Sequence, residues 1–295
     1  MRGPPVLRLT LLVALLSLAF GEAARAITND PAPPLVVTTY NLRFASSQPP
    51  NEWAVRRPLM RELLREMAPD LLGTQEGLHD QLRDLAADLP EYDWTGVGRD
   101  GGLKGEFMAV FYRRDRLEPL ATNHFWLSDT PEVVASRTWG HTCNRMVTWL
   151  RFRDRRTARE FYFFNTHFDH EAPLAREKSA ELVRRRVAAL DPSLPVLLAG
   201  DFNAAAGTSQ PYEILTREGF FTDTWTLARE RRGEGLSTFN GFRPADRRGI
   251  RIDWILARGA VTVERVEINP FARAGQFPSD HFPVTAWLRL GGGVE

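Results

Sequence analysis

Six residues of this 295-residue chain carry polar chemistry where a strand alone would not need it: Asn41, Glu76, His167, Asp201, Asp253 and Asp280. Each lies within or at the end of a strongly hydrophobic run, as Asp201 does after Pro195-Val196-Leu197-Leu198-Ala199-Gly200. A strand end that merely enters solvent has no use for a carboxylate. Several strands ending in acids, an amide and an imidazole can instead converge on one cleft, and function in α/β folds collects at such ends. The chemistry open to that set is proton transfer and hydrogen bonding to a bound group.

The elements that must position these residues alternate along the chain. Residues 35–41 have the β-branched content of a buried strand. Residues 53–67 carry apolar positions at helical spacing (Val55, Leu59, Leu63, Leu64, Met67) and stop before Pro69. A strand over 71–76, a helix over 79–89 and a short strand over 108–112 follow. Residues 146–152 and 161–167 predict neighbouring strands joined by the charged hairpin 153–160. Residues 172–190 predict a helix, with Arg184-Arg185-Arg186 on a solvated face. Strands over 195–200, 250–257 and 282–290 complete the pattern. No linker, composition break or repeat divides it, so one α/β domain over residues 27–292 is expected.

Composition narrows the function classes. The chain is 43% hydrophobic with a formal net charge of +1, which demands no nucleic acid partner. The single cysteine, Cys143, rules out an intrachain disulfide and any Cys-rich metal cluster, and is expected to be a small packed residue. Residues 1–26 have the pattern of a cleavable signal peptide: Arg2 and Arg8, an apolar run over 9–20, then Ala24-Arg25-Ala26. That run is too short for an ordinary transmembrane helix. Removing the segment takes away three positive charges and one negative, leaving about −1. A secreted or periplasmic protein without a stable membrane anchor is expected, acting as a monomer.

The words around the six residues are Thr39-Tyr40-Asn41-Leu42-Arg43, Thr74-Gln75-Glu76, Asn165-Thr166-His167-Phe168-Asp169, Gly200-Asp201-Phe202-Asn203, Ile252-Asp253-Trp254-Ile255 and Ser279-Asp280-His281-Phe282-Pro283. In identity and order they resemble the endonuclease/exonuclease/phosphatase family, over about residues 35–288. The resemblance implies a DNase I-like α/β (α+β) fold. Its four layers are two packed mixed β-sheets flanked by helices, with one cleft at an edge of the sandwich. It implies a divalent-metal-dependent phosphoesterase in which Glu76, with Asn41 and Asp280, holds Mg²⁺ or Mn²⁺, as hard cations prefer oxygen ligands. Asp201 would orient or deprotonate the attacking water. Asn203, with Asn165, would face phosphoryl oxygens. His281 would sit on the scissile phosphate with Asp253 fixing its tautomer. His167 would be a second catalytic histidine, with Glu106 as its carboxylate partner.

Other features are less determined by sequence. The glycine-rich stretch 96–106 is followed by a strand-like run where a phosphate-cradling helix should begin, so it reads as a flexible loop near the cleft, with Arg99 or Lys104 as possible substrate contacts. Arg145 opens a strand and either places a guanidinium on phosphate or lies at a surface edge. Residues 126–131 are expected to shape the cleft. Phosphodiesters are the expected substrate within a broader class of small soluble phosphate esters, sugar phosphates included. A nuclease would call for a basic groove, and a sphingomyelinase for exposed apolar hairpin residues. A catalytically silent phosphate-binding or protein-binding module on the same fold is the alternative.

Overall fold

The computed structural model describes residues 32–291, together with residues 1 and 3. The expected leader over 1–26 thus lies outside the described residues. In chain order the elements are β1 (Leu35–Asn41), α1 (Trp53–Met67), β2 (Leu71–Gln75), α2 (His79–Asp88), β3 (Tyr92–Thr95), β4 (Val110–Arg113), β5 (Leu117–Trp126), β6 (Met146–Asp154), β7 (Glu160–His167), α3 (Pro173–Ala188), β8 (Val196–Asp201), α4 (Gln210–Thr216), β9 (Thr222–Asp223), α5 (Thr224–Leu227), β10 (Glu230–Arg232), β11 (Asp253–Arg258), β12 (Val261–Ile268) and β13 (Val284–Leu290). No helix among the described residues is long and apolar enough to cross a membrane.

The strands form two mixed sheets, β10-β12-β13-β1-β2-β4-β3 and β5-β6-β7-β8-β11-β9. A parallel pair lies within each: β1 beside β2, and β7 beside β8. Leu35, Val37, Leu71, Phe161, Phe163, Leu197, Ala199, Ile255 and Ala257 pack together between the sheets. Val196, Leu198, Phe164, Trp254 and Leu256 turn the other way and meet α3 and α4. Tyr40, Leu72 and Phe111 do the same against α1 and α2. Side chains of a strand alternate between its two faces. Asn41, Gln75, His167, Asp201 and Asp253 therefore continue the faces that lie between the sheets.

Along that shared face the core changes from apolar to polar. Gln75 donates to Thr39 Oγ1 (3.1 Å) and Asn165 Oδ1 (2.7 Å), while the Asn165 amide donates to Thr74 O and Ala109 O (both 2.9 Å). This fully buried layer ties the two sheets together directly beneath the cleft. Asn165 is thus not a substrate contact as expected. It sits two residues before His167 on the same face and spends its hydrogen bonds across the sheet interface. Gly73 accommodates it, since a Cβ there would lie 2.9 Å from Asn165 Oδ1.

Five strands were not foreseen from sequence: β9 and β10 are only two and three residues long, and β3, β5 and β12 are largely half-exposed, with a run of exposed positions in the middle of β5 and only Val263, Val266 and Ile268 buried in β12. Arg184 also departs from a solvated face, donating to the carbonyls of Ile214 and Arg217.

Replacing Asn165 with Leu leaves Gln75 and two buried carbonyls short of partners. It is expected to lower unfolding free energy by about 2–3 kcal/mol. Urea denaturation measures this, and an unchanged midpoint with a raised substrate KM would restore the substrate-contact role.

Candidate active site

Strand register assembles the centre. His167 pairs with Asp201 across β7 and β8, and Asp201 pairs with Asp253 across β8 and β11, so three functional groups form one row at adjacent strand ends. His281 enters from the loop before β13. Its Nδ1 donates to Asp253 Oδ2 at 3.0 Å, and its Nε2 lies 3.7 Å from Asp201 Oδ2. Burial works against the charged imidazole, but Asp253 and Asp201 outweigh it and raise its pKa to about 10. His281 is a cation held between two acids.

Asp201 is itself buried. Its Oδ2 accepts from Asn41 Nδ2 (3.0 Å), and its Oδ1 accepts from the Asn203 backbone N–H (2.9 Å). Burial first, and then Asp253, lift its carboxyl to about 7 against the opposing pull of His281. That value suits a base working near neutrality. His167 behaves in the opposite way. Burial, reinforced by Arg145 and Arg99, holds it well below its ordinary value, and its Nε2 accepts from Asn203 Nδ2 (3.0 Å). It is a neutral ring whose proton resides on Nδ1, as this hydrogen bond assigns it.

The expected Glu106–His167 pair does not form. Residues 99 and 106 face each other across the glycine-rich loop, joined by Arg99 N–H to Glu106 O (2.9 Å), and Glu106 Oε2 takes Arg99 Nη1 at 2.6 Å. Burial nonetheless raises Glu106 to about 7 in spite of Arg99. The loop is also pinned by Trp126 Nε1 donating to Arg99 O and by Asn144 donating to Asp100. Trp126 therefore shapes the cleft by holding this loop.

The cleft has a volume of ≈ 370 Å³ and is lined by Arg43, Glu76, Arg99, Glu106, Arg145, His167, Asp201, Asn203, Asp280 and His281, with Phe44, Cys143, His170 and Phe239 among the others. Asn41 and Asp253 lie beneath it, fully buried. Cys143 is half-buried on the cleft wall, not packed in the core as expected. Arg43, Glu76 and Asn203 all have left-handed backbone (φ 54°, 62° and 47°), a conformation that costs non-glycine residues energy and concentrates at functional sites.

Glu76 and Asp280 are the groups that fit a divalent cation. One guanidinium, Arg43, lies 3.8 Å from Glu76 and 3.6 Å from Asp280, too far to hydrogen-bond either well. Burial, with Glu76 contributing, raises Asp280. Two under-compensated carboxylates in an oxygen-only set match Mg²⁺ or Mn²⁺. Asn41 holds Glu76 from below, donating to its Oε1 (2.9 Å) as well as to Asp201. A second spatial group, Cys143, Asp169 and His170, has the Arg145 guanidinium beside it. Arg145 Nη2 bonds His170 Nδ1 at 3.1 Å, and its Nε lies 3.9 Å from Asp169.

Arg145 resolves the alternatives left open by sequence. It is only 3% exposed, lines the cleft, and keeps Nε and Nη1 without a hydrogen-bond partner among the described residues. Buried donors left unpaired are costly, and a site for an oxyanion accounts for them. Arg43 and Asp169 stood inside the recognisable sequence words without a role. Phe239 and His170 had no sequence signal at all.

Comparison with known proteins agrees with this geometry. Residues 38–281 match the Endonuclease/Exonuclease/phosphatase family, and the chain belongs to it. A crystal structure of a family member from Bacteroides vulgatus superposes with a TM-score of 0.82 at 36% identity, covering 87% of this chain and 99% of that one. The mannosyl-6-phosphatase of Bacteroides thetaiotaomicron superposes with a TM-score of 0.81 at 36% identity, covering 86% and 99%. The human Nocturnin catalytic domain, at 18% identity and TM-score 0.69 over 88% and 95% of the chains, shares the fold. An uncharacterised protein of Acanthamoeba polyphaga mimivirus is 26% identical over 52% of this chain and 59% of its own length. The two bacterial neighbours are covered almost completely, whereas the viral relative is matched over little more than half.

Asp253→Asn removes one of the two acids that keep His281 charged. It is expected to lower kcat by about 10²–10³-fold with KM within threefold. Steady-state kinetics test this, and a loss under fivefold would contradict the His281–Asp253 dyad.

Proposed function

We propose that this protein is an exported, Mg²⁺- or Mn²⁺-dependent hydrolase of small soluble phosphate esters, sugar phosphates among them. The observation that carries the reading is the convergence of a base near neutrality, Asp201, with two cations, His281 and Arg145, around one cleft. Export rests on the leader pattern of residues 1–26 alone.

The chemistry follows from the positions. Asp201 takes a proton from a water that attacks phosphorus in line with the leaving oxygen. His281 and Arg145 receive the phosphoryl oxygens, where negative charge builds up, while the Asn203 amide is spent on His167 Nε2 and Phe168 O. Neutral His167, fixed by Asn203, lies beside Asp201 at 3.4 Å and adds no second positive charge to that side of the cleft. Glu76 and Asp280 would hold the divalent cation, which when bound supplies charge neutralisation at the phosphoryl group.

The choice of ester is supported by charge. A monoester dianion needs more cationic compensation than a diester, and Arg145 brings unpaired donors in addition to His281. The name of the 36%-identical Bacteroides thetaiotaomicron neighbour points the same way. This reading moves the weight from phosphodiesters, the expectation from sequence, to phosphomonoesters.

The deciding assay is hydrolysis of mannose 6-phosphate, p-nitrophenyl phosphate, bis-p-nitrophenyl phosphate and plasmid DNA with Mg²⁺ or Mn²⁺, beside EDTA and Asp201→Ala. Turnover of the monoesters, abolished by EDTA and reduced at least 10³-fold by the substitution, is expected. A folded protein inert on all four would defeat the proposal. The pH profile adds a second check. Asp201 acts as a carboxylate, its ionised form prevails above its raised pKa, and kcat/KM should fall with unit slope as pH drops below about 7. A profile flat to pH 5 would exclude it as the base.

A further inference from the structure

Arg56, in the first turns of α1, is fully buried. No carboxylate among the described residues lies within ion-pair distance of it. Its five N–H donors all go to backbone carbonyls instead: Nε to Asn51 O (2.8 Å), Nη1 to Leu42 O (2.8 Å) and Pro278 O (2.9 Å), and Nη2 to Arg43 O (3.1 Å) and Phe44 O (2.8 Å). Burial lowers its pKa to about 10, which still leaves it charged. A buried cation without a paired acid is expensive, so the carbonyls it holds call for a reason.

Two of those carbonyls belong to peptide planes whose other end reaches the site. The plane joining Leu42 and Arg43 has its C=O on Arg56 and its N–H on Asn41 Oδ1 (2.9 Å). The plane joining Arg43 and Phe44 has its C=O on Arg56 and its N–H on Glu76 Oε2 (3.3 Å). A cation on the carbonyl polarises the peptide and strengthens its N–H as a donor. The third contact, Pro278, lies two residues before Asp280 and 222 residues from Arg56 in sequence. Ser279 Oγ, donating to Asn41 O at 2.6 Å, draws the same two segments together.

We propose that Arg56 is the positioning residue of the cation site: through two peptide planes it orients Asn41 and Glu76, and through Pro278 it sets their separation from Asp280. This rests on the reading of Glu76 and Asp280 as the cation's ligands. Arg56 touches neither substrate nor cation in this role. A purely structural guanidinium, anchoring α1 to its neighbours, would affect thermal stability but leave the cation affinity of folded molecules unchanged.

The test is Mn²⁺ binding to the metal-free protein, followed by electron paramagnetic resonance of the unbound ion, for the unsubstituted protein, Arg56→Lys, Arg56→Met and Glu76→Gln. Lys keeps the charge but has three donors and no planar fork, so it cannot span five carbonyls. Both Arg56 variants should weaken Mn²⁺ binding by about 10–100-fold, the usual effect of losing a group that orients ligands. Substrate KM at saturating Mn²⁺ should stay within threefold, and turnover should recover as the metal is raised. A folded Arg56→Lys protein that binds Mn²⁺ within twofold of the original would overturn the proposal, and this variant decides the matter if Arg56→Met does not fold. An original protein that binds no Mn²⁺, or binds it equally well as Glu76→Gln, would instead defeat the cation reading itself and this inference with it.

Discussion

Asp201 and Asp253 stand side by side on neighbouring strands, both out of water, and the rest of the centre is arranged to make that tolerable. Two adjacent buried carboxylates repel each other, and neither can be solvated. The cation on His281 lies between them, and Asn41 and the Asn203 N–H take up lone pairs of Asp201. The compensation is incomplete at Asp201, whose carboxyl stays raised toward neutrality. The same logic, at a different position, leaves Glu76 and Asp280 with only a distant guanidinium between them.

Placing these groups is a task for the strands. The acid or imidazole faces the opposite sheet, and the next residue, an aromatic, turns outward: Phe168 after His167, Phe202 after Asp201, Trp254 after Asp253. Phe202 stacks on Trp254 at 4.2 Å and meets Phe168 edge-on at 5.0 Å, forming a solid layer under α3 and α4. Rigid packing behind the row holds the polar ends in front of it in place. Between the sheets, Gln75 donates to Asn165 across the interface and the pair separates the apolar core from the charges above.

Much of this was legible from sequence because a charged residue closing an apolar strand is a local signal. The order of the six words carried the family, and with it the sandwich and the cleft. Asn165 misled because a polar residue inside a strand looks the same whether it faces a ligand or another sheet. Glu106 misled because its partner is settled by loop closure, and Arg99, seven residues away across a hairpin-like turn, is closer than His167. The strands β5 and β12 escaped because half-exposed edge-like strands lack the continuous hydrophobic run that marks the central ones. Arg145 could not be resolved without knowing that its donors are buried and unpaired.

Both sheets contribute to the centre: one supplies Asn41 and Glu76, the other His167, Asp201 and Asp253. The loops at its mouth, residues 96–106 and the stretch around Phe239, belong to neither. Phe239 is 50% exposed, its ring meeting that of His281 at 5.1 Å. Hereditary change is therefore partitioned in this molecule. A one-residue insertion in a central strand would turn an acid outward and an aromatic inward, erasing the reaction at a stroke. Lengthening a mouth loop leaves the row intact and alters only what is admitted to it. A lineage built on this scaffold can thus drift among phosphorylated molecules while its hydrolytic floor stays fixed.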